Sequence, residues 1–465
     1  MSRAVRWVCI AVAALAMGAG LSPPTPATAQ VASFSPGSSN GGDPYFPLQG
    51  NGGYDVLRYD IVFSYDPGTK RMAGSTSLTA LATQNLSRFN LDFTGLVVRY
   101  VKVNGAVAAF SHQGQELTVT PRAGLRSGGA FTVDVGYDGN PTHVVDPDGS
   151  IEGWVVTSDG AYVVGAPQGA MTWFPGNHDL GDKATHTFRV TVPSGTTAVA
   201  NGALTYKRTV GGQTTWAWTS REPMANWLAT ATIGRFNMTK VSTGSGMNYT
   251  FVDPSTGTAP TNPVYQTPDI VSSLSTLYGP YPFYASGGVV DNAPSPGYAL
   301  ETQTKPLYPF PPFTHLVVHE VAHQWYGASV SPTSWRDVWL NEGFATYTEW
   351  LWDERTSGRS AQEHFDSAYA RPSSDPFWQV RPGDPGPRDL FHPTVYSRGA
   401  MTLQALRATV GDVAFFDILR AWADQFRHGS VTTQQFVDLA EQRSGRQLDD
   451  LFQRWLYMPG KPSFP

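Results

Sequence analysis

The chain has 465 residues, of which 41% are hydrophobic and 12% aromatic, and its formal net charge is −5. This length predicts two domains, and so much apolar material excludes a disordered or fibrous protein. The acidic balance excludes a basic surface built for nucleic acid, and the lone cysteine, Cys9, excludes a disulfide framework and a thiolate metal site.

The N-terminal segment, residues 1–29, has the layout of a secretory signal peptide. Two arginines precede an apolar run over residues 7–19, and residues 27–29 read Ala-Thr-Ala, which is typical of a cleavage site. The apolar run is shorter than the roughly 20 residues that a membrane-spanning helix needs. We therefore expect cleavage after Ala29, a secreted mature protein and no stable association with the membrane.

The next part of the chain predicts a leader followed by a β domain. Residues 30–53 are rich in Ser, Gly, Pro and Asn, which indicates a flexible leader. Over residues 54–240, short runs such as YDVLRYDIVFSY and ATHTFRVTVP alternate apolar and polar residues and are separated by turn residues. This pattern predicts an N-terminal β domain of sandwich or saddle type.

Residues 241–465 predict a second domain that is mostly helical. A mixed segment rich in Gly and Pro comes first, and helical patterns follow near residues 314–327, 341–355, 399–410, 412–427 and 432–442. The predicted fold class is therefore α+β, with the β-rich part ahead of the helical part.

The strongest chemical signal is the sequence His319-Glu320-Val321-Ala322-His323. Residues four apart share one face of a helix, so both imidazoles can bind one ion, with Glu320 beside them to act on a water. A carboxylate on a second predicted helix, Glu342, completes a His-His-Glu set. Three protein ligands of this kind are typical of catalytic zinc, whereas calcium and magnesium sites use more oxygens and no imidazole. We predict one zinc ion per chain.

Several motifs together resemble the M1 family of zinc aminopeptidases. HEVAHQW followed by WLNEGFATYTEW resembles that family's metal-binding helices, GYALET at 297–302 its exopeptidase motif, and YSRG at 396–399 its catalytic-tyrosine motif. WFPGNHDLGDKATHTFRVTVP and PMANWLATATIGRF resemble passages of its β domain. Thermolysin-type enzymes share the ligand spacing but usually carry an Asp where this chain has Thr346. The chain is similar to short secreted bacterial members that lack the large C-terminal helical domain.

The resemblance implies a thermolysin-like catalytic domain over residues 241–465 and a role for each motif residue. Glu320 would be the general base, and Tyr396 would donate a hydrogen bond to the oxyanion of the tetrahedral intermediate. Glu301 would bind the α-ammonium group of the substrate and so fix the first peptide bond at the metal. Gln168 would also touch this amine. The backbone expected to lie along the substrate belongs to Gly297, Tyr298 and Ala299.

Two departures and one open question accompany these roles. Leu300 and Thr302 stand where the family usually has Met and Asn, so the loop around Glu301 differs in detail. Hydrogen bonds from neighbouring side chains are expected to orient the imidazoles. The candidates for these bonds are Asp337, Thr346 and Glu349.

The expected function is that of a secreted zinc aminopeptidase that removes N-terminal residues from peptides with a free N-terminus. One alternative is a zinc endopeptidase of thermolysin type, which would accept blocked N-termini and would not need Glu301. Another is a catalytically silent binding protein on the same scaffold. Such a protein is expected to lose a metal ligand, the base or the tyrosine, and all of these residues are present here.

Overall fold

The structure is a computed structural model that describes residues 33–257, 261–293 and 295–464. The predicted signal peptide and its cleavage site lie outside the described residues. Among the described residues, no helix is long and apolar enough to cross a membrane.

Strands dominate the first half of the described chain, and they form three sheets there. The sheets have the strand orders β15-β16-β13-β2-β3-β9-β5-β6, β10-β11-β12-β17-β14 and β1-β4-β8-β7. The strands are β1 (Ser35–Pro36), β2 (Tyr54–Asp66), β3 (Arg71–Ala82), β4 (Leu86–Asp92), β5 (Val97–Val103), β6 (Ala106–Val107), β7 (Ala109–Gln113), β8 (Glu116–Thr120), β9 (Ala130–Gly139), β10 (His143–Val145), β11 (Ile151–Val156), β12 (Ala161–Val164), β13 (Lys183–Pro193), β14 (Thr197–Ala200), β15 (Ala203–Val210), β16 (Gln213–Ala225) and β17 (Ala231–Gly234).

Alternating burial explains how the largest of these sheets packs. Along β2, buried residues alternate with exposed or half-buried ones, as expected when one face of a strand covers a core. The buried Phe63 of β2 packs edge-on against Trp154 of the five-stranded sheet, at 6.0 Å between ring centroids, and against Trp173 at 5.9 Å. Aromatic rings therefore fill the space between the two sheets.

Helices dominate the second half, which also contains a small sheet of the order β18-β19-β20-β21 and a strand pair β22-β23. The elements are β18 (Asn237–Thr243), β19 (Gly246–Val252), α1 (Thr267–Tyr278), β20 (Ala285–Val290), β21 (Leu307–Tyr308), α2 (Thr314–Ala322), β22 (Ser331–Pro332), α3 (Trp339–Thr356), α4 (Ala361–Tyr369), α5 (Pro393–Val410), α6 (Asp412–Gln425), β23 (Ser430–Val431), α7 (Thr433–Ser444) and α8 (Asp449–Phe452). The predicted α+β fold class is confirmed. The boundary predicted at residue 240 falls inside β18, and the domain limits stay a prediction.

Helices α3 and α5 pack unusually closely, and this contact helps to build the site. Gly343 of α3 faces Gly399 of α5, and a Cβ atom added to Gly343 would lie 2.9 Å from the Cα of Gly399. Only glycine allows this approach, which brings the N-terminal halves of the two helices together. Tyr396 on α5 is thereby placed beside the helix that carries Glu342.

The segment expected to be a flexible leader, residues 30–53, is attached to the rest of the protein at several points from residue 35 onward. Strand β1 pairs with β4, and the carboxylate of Asp43 accepts hydrogen bonds from the Trp335 backbone N–H at 2.8 Å and the Ser334 hydroxyl at 2.9 Å. Gln49 is also buried. A composition rich in Gly, Ser and Pro indicates irregular backbone, but it does not tell whether polar side chains find buried partners.

Candidate metal centre and active site

The three predicted metal ligands converge at one point. Helix α2 carries His319 and ends at His323, and the first turn of α3 carries Glu342. Oε2 of Glu342 lies 3.2 Å from Nε2 of His319 and 3.4 Å from Nε2 of His323. The residues are 8%, 1% and 5% exposed in the order His319, His323 and Glu342. Two imidazole nitrogens and one carboxylate oxygen fit the donor set that zinc prefers.

Hydrogen bonds on the far side of each ring orient the histidines. Nδ1–H of His319 donates to Oε1 of Glu349 at 2.7 Å, and Nδ1–H of His323 donates to the backbone carbonyl of Tyr326 at 3.1 Å. These acceptors fix the tautomer in which both Nε2 lone pairs face Glu342. Of the candidates for this task, Glu349 makes such a bond, whereas Asp337 instead accepts from the Thr433 hydroxyl at 2.6 Å.

Replacing Glu349 by Gln should weaken zinc binding by roughly ten- to a hundredfold. The amide oxygen can still accept from His319, but the negative charge that makes the imidazole a better ligand is lost. Titration with a competing chelator at fixed pH measures the zinc dissociation constant. Glu354→Gln is the matched control, because Glu354 lies on the same helix but pairs with Arg407 at 3.0 Å. Equal zinc affinity in both variants would contradict the role given to Glu349.

The residues predicted to do the chemistry line one cleft of about 590 Å³ around the three ligands. One donor atom of each of Glu301, Glu320 and His323 lies within 4.8 Å of the others. Among the described residues, Oε2 of Glu320 has no hydrogen-bond partner. Burial raises the pKa of the Glu320 carboxyl group above its usual range, to about 8.

Tyr396 lies against the face of the His319 ring. Its ring lies nearly parallel to that of His319, with the centroids 6.1 Å apart. Burial raises the pKa of the Tyr396 hydroxyl well above its usual range, so the group stays protonated and can act as a hydrogen-bond donor.

The remaining predicted substrate contacts divide into two groups. Gly297, Tyr298 and Ala299 line the cleft, and the Tyr298 hydroxyl donates to the carbonyl of Ile151 at 2.9 Å. Gln168 is not among the residues described as lining the cleft, and its side-chain amide donates to Oδ1 of Asp146 at 2.7 Å. A contact between Gln168 and the substrate amine stays a prediction.

Part of the cleft wall was not predicted from the sequence. It comes from separate turns and helix ends that share no motif, so only their meeting in space marks them. Gln324 was also not predicted from the sequence. The one available signal for it was its position directly after the metal ligand His323. The unpredicted lining residues are Asp148, Ser150, Ala166, Phe310, Phe313, Leu316 and Phe391.

Comparison with known proteins places the chain in a family. Residues 311–455 match the family model described as the peptidase family M1 domain. The solved M1 zinc metallopeptidase from Deinococcus radiodurans is 30% identical to this chain with a TM-score of 0.84, and the match covers 92% of this chain and 98% of that one.

Curated relatives match over a shorter stretch. Aminopeptidase B from Rattus norvegicus is 28% identical over 171 residues, which cover 32% of this chain and 26% of the relative. Aminopeptidase N from Streptomyces lividans is 31% identical over 156 residues, which cover 31% of this chain and 18% of the relative. The match thus spans about a quarter or less of these relatives. The likeness to the Deinococcus protein extends over nearly all of both chains and agrees with the zinc-type ligand set. The protein belongs to the M1 family of zinc metallopeptidases.

Proposed function

We propose that this zinc metallopeptidase is an aminopeptidase that releases the N-terminal residue of peptides with a free α-amine. The observation that carries the proposal is the buried carboxylate of Glu301 within 4.8 Å of donor atoms of His323 and Glu320. A negative group there gives a substrate ammonium a partner beside the metal. The curated relatives, aminopeptidase B and aminopeptidase N, agree with this activity.

Solved neighbours support a peptide substrate. A mutant of the Deinococcus radiodurans protein has been solved with a Tyr-Ser-Ala substrate, and mutant structures of a two-domain M1 zinc metallopeptidase hold L-tryptophan and L-arginine. A short peptide and single amino acids are the substrate and the products that an aminopeptidase would hold. The Gly297–Ala299 backbone in the present cleft offers a surface along which such a chain would lie.

Glu320 and Tyr396 have separate roles in the proposed hydrolysis. Bound zinc would supply a Lewis acid that polarises the scissile carbonyl and activates water. Glu320, whose Oε2 has no hydrogen-bond partner among the described residues, takes the proton from the attacking water and later gives it to the leaving amine. The Tyr396 hydroxyl donates a hydrogen bond to the oxyanion as negative charge develops there.

Glu301 makes the first peptide bond the reacting one. An ammonium group held by this carboxylate cannot be replaced by an internal peptide nitrogen without leaving a buried charge unpaired, which is costly. Binding at Glu301 therefore fixes the position of the scissile carbonyl over the metal ligands. Such positioning lowers the barrier because the reacting groups no longer have to be brought together.

Replacing Glu301 by Gln should lower kcat/KM for a leucyl anilide by roughly 10- to 100-fold, because a charge-assisted hydrogen bond in a buried site is lost. Zinc content, measured by metal analysis, should stay at one ion per chain. Glu354→Gln serves again as the control with an unchanged rate. A Glu301→Gln enzyme with wild-type kcat/KM would refute the anchoring role.

Secretion is a further part of this proposal. It rests on the signal-peptide layout of residues 1–29 and on the predicted cleavage after Ala29. Export would place the enzyme among extracellular peptides, with no nucleic acid partner and no stable membrane association. N-terminal sequencing of protein collected from the culture medium should find Gln30 first, and retention of the full-length chain in the cells would refute it.

A further inference from the structure

The segment that follows Glu301 combines strong polarity with complete burial. Residues 301–305 read Glu-Thr-Gln-Thr-Lys; Glu301 is 6% exposed and the next residues are 0% exposed. Polar groups taken out of water cost free energy unless they find hydrogen-bond partners. The partners of this segment therefore show what holds it in the protein.

The first partner is Gln324, the residue after the metal ligand His323. Its Oε1 accepts a hydrogen bond from the backbone N–H of Thr304 at 2.7 Å. Its Nε2 donates to the backbone carbonyl of Glu301 at 3.2 Å. The Gln324 side chain therefore holds both residue 301 and residue 304 of the loop next to the metal ligand His323.

The second partner set surrounds Lys305, on the side of the β-rich region. The Nζ atom donates to the carbonyl of Ala200 at 2.9 Å and to that of Gly202. The same atom lies 4.6 Å from the ring centroid of Trp218 and 5.4 Å from that of Tyr249. Among the described residues, no carboxylate forms an ion pair with Lys305, so carbonyls and aromatic faces hold this buried amine.

Between these two anchors the backbone is strained. Thr304 has φ +71°, a value that a β-branched residue rarely adopts. Its hydroxyl accepts from the Gly202 N–H at 2.8 Å, and the Asn201 side chain donates to the Gln303 carbonyl at 2.9 Å. Strained backbone of this kind persists only where the surroundings fix it from several sides.

We propose that Gln324 and Lys305 are positioning residues that hold Glu301 at a set place relative to the metal ligands. The proposal rests on the role of Glu301 proposed above. Loosening either anchor should leave zinc bound. It should lower the affinity of ligands that bind through an α-amine, while ligands that reach only the metal keep their affinity.

The test compares two ligands that differ only in the amine. Leucine hydroxamate and 4-methylpentanohydroxamate, its twin without the amine, are titrated calorimetrically into the zinc-loaded mature protein. In the wild type, the amine should improve affinity by roughly tenfold or more. Gln324→Met and Lys305→Met should each reduce this ratio at least threefold, with unchanged affinity for the amine-free twin.

Gln404→Met is the matched control. Gln404 is a buried glutamine on α5 that accepts from the Tyr347 hydroxyl at 2.8 Å and donates to Gln362 at 2.8 Å. Its loss removes comparable hydrogen bonds without touching the loop of Glu301, so the ratio should stay at the wild-type value.

The outcomes separate the two levels of the argument. Wild-type ratios in both anchor variants would overturn the positioning role and leave the role of Glu301 standing. A ratio near one in the wild type would overturn the role of Glu301 itself. If Lys305→Met does not fold, Thr304→Gly tests the same attachment of the loop. Glycine accepts φ +71°, and the hydrogen bond from the Gly202 N–H to the Thr304 hydroxyl is lost. An unchanged ratio there would count equally against positioning.

Discussion

Glu320→Gln should abolish turnover and leave zinc in place. The amide has the size of the carboxyl group but cannot take a proton from water, so kcat should fall by roughly a thousandfold or more. Glu320 is not part of the zinc-type donor set of His319, His323 and Glu342, and its Oε2 has no hydrogen-bond partner among the described residues. The measurements are kcat for a leucyl anilide and zinc content per chain.

The control for this variant again lies on α3. Glu354→Gln removes a carboxylate that pairs with Arg407, away from the cleft lining, and should keep the wild-type kcat. Near-normal turnover by the Glu320→Gln enzyme would show that proton transfer runs through another group and would refute the mechanism.

Tyr396→Phe should reduce kcat by roughly 100- to 1,000-fold with little change in KM. The hydroxyl is needed only when negative charge develops on the carbonyl oxygen, so ground-state binding does not depend on it. Steady-state kinetics on the same anilide separate the two constants.

Tyr347→Phe provides the matched comparison for a buried tyrosine. Its hydroxyl donates to Gln404 at 2.8 Å and lies away from the cleft, so its loss should cost stability of about 1 kcal/mol and no catalytic rate. A Tyr396→Phe enzyme with raised KM and unchanged kcat would show that the tyrosine binds substrate and does not stabilise the oxyanion.

The two histidine ligands were predictable because their pairing follows from local periodicity. His319 and His323 are four residues apart, and a helix places such residues on one face whatever surrounds it. The fold class followed from the change from alternating runs to helical patterns. Glu301 and Tyr396 needed the family resemblance, since neither residue belongs to a pattern that physical chemistry alone would single out.

The rest of the site depends on partners far apart in the sequence. A lysine is normally expected at the surface, yet Lys305 is buried because carbonyls of Ala200 and Gly202 meet it across the fold. The side chain of Gln168 likewise bonds to Asp146, a partner that the sequence pattern does not reveal. The segment around Asp43 is held because this carboxylate finds backbone and side-chain donors at Ser334 and Trp335. Composition carries no information about such distant partners.

The most direct test of the aminopeptidase assignment is the hydrolysis of a leucyl anilide beside its N-acetylated twin by the zinc-loaded mature protein. The two substrates share the scissile bond and the side chain, and they differ only in the ammonium group that Glu301 is proposed to bind. We predict hydrolysis of the free-amine substrate alone. Comparable hydrolysis of both would contradict the assignment and identify a zinc endopeptidase.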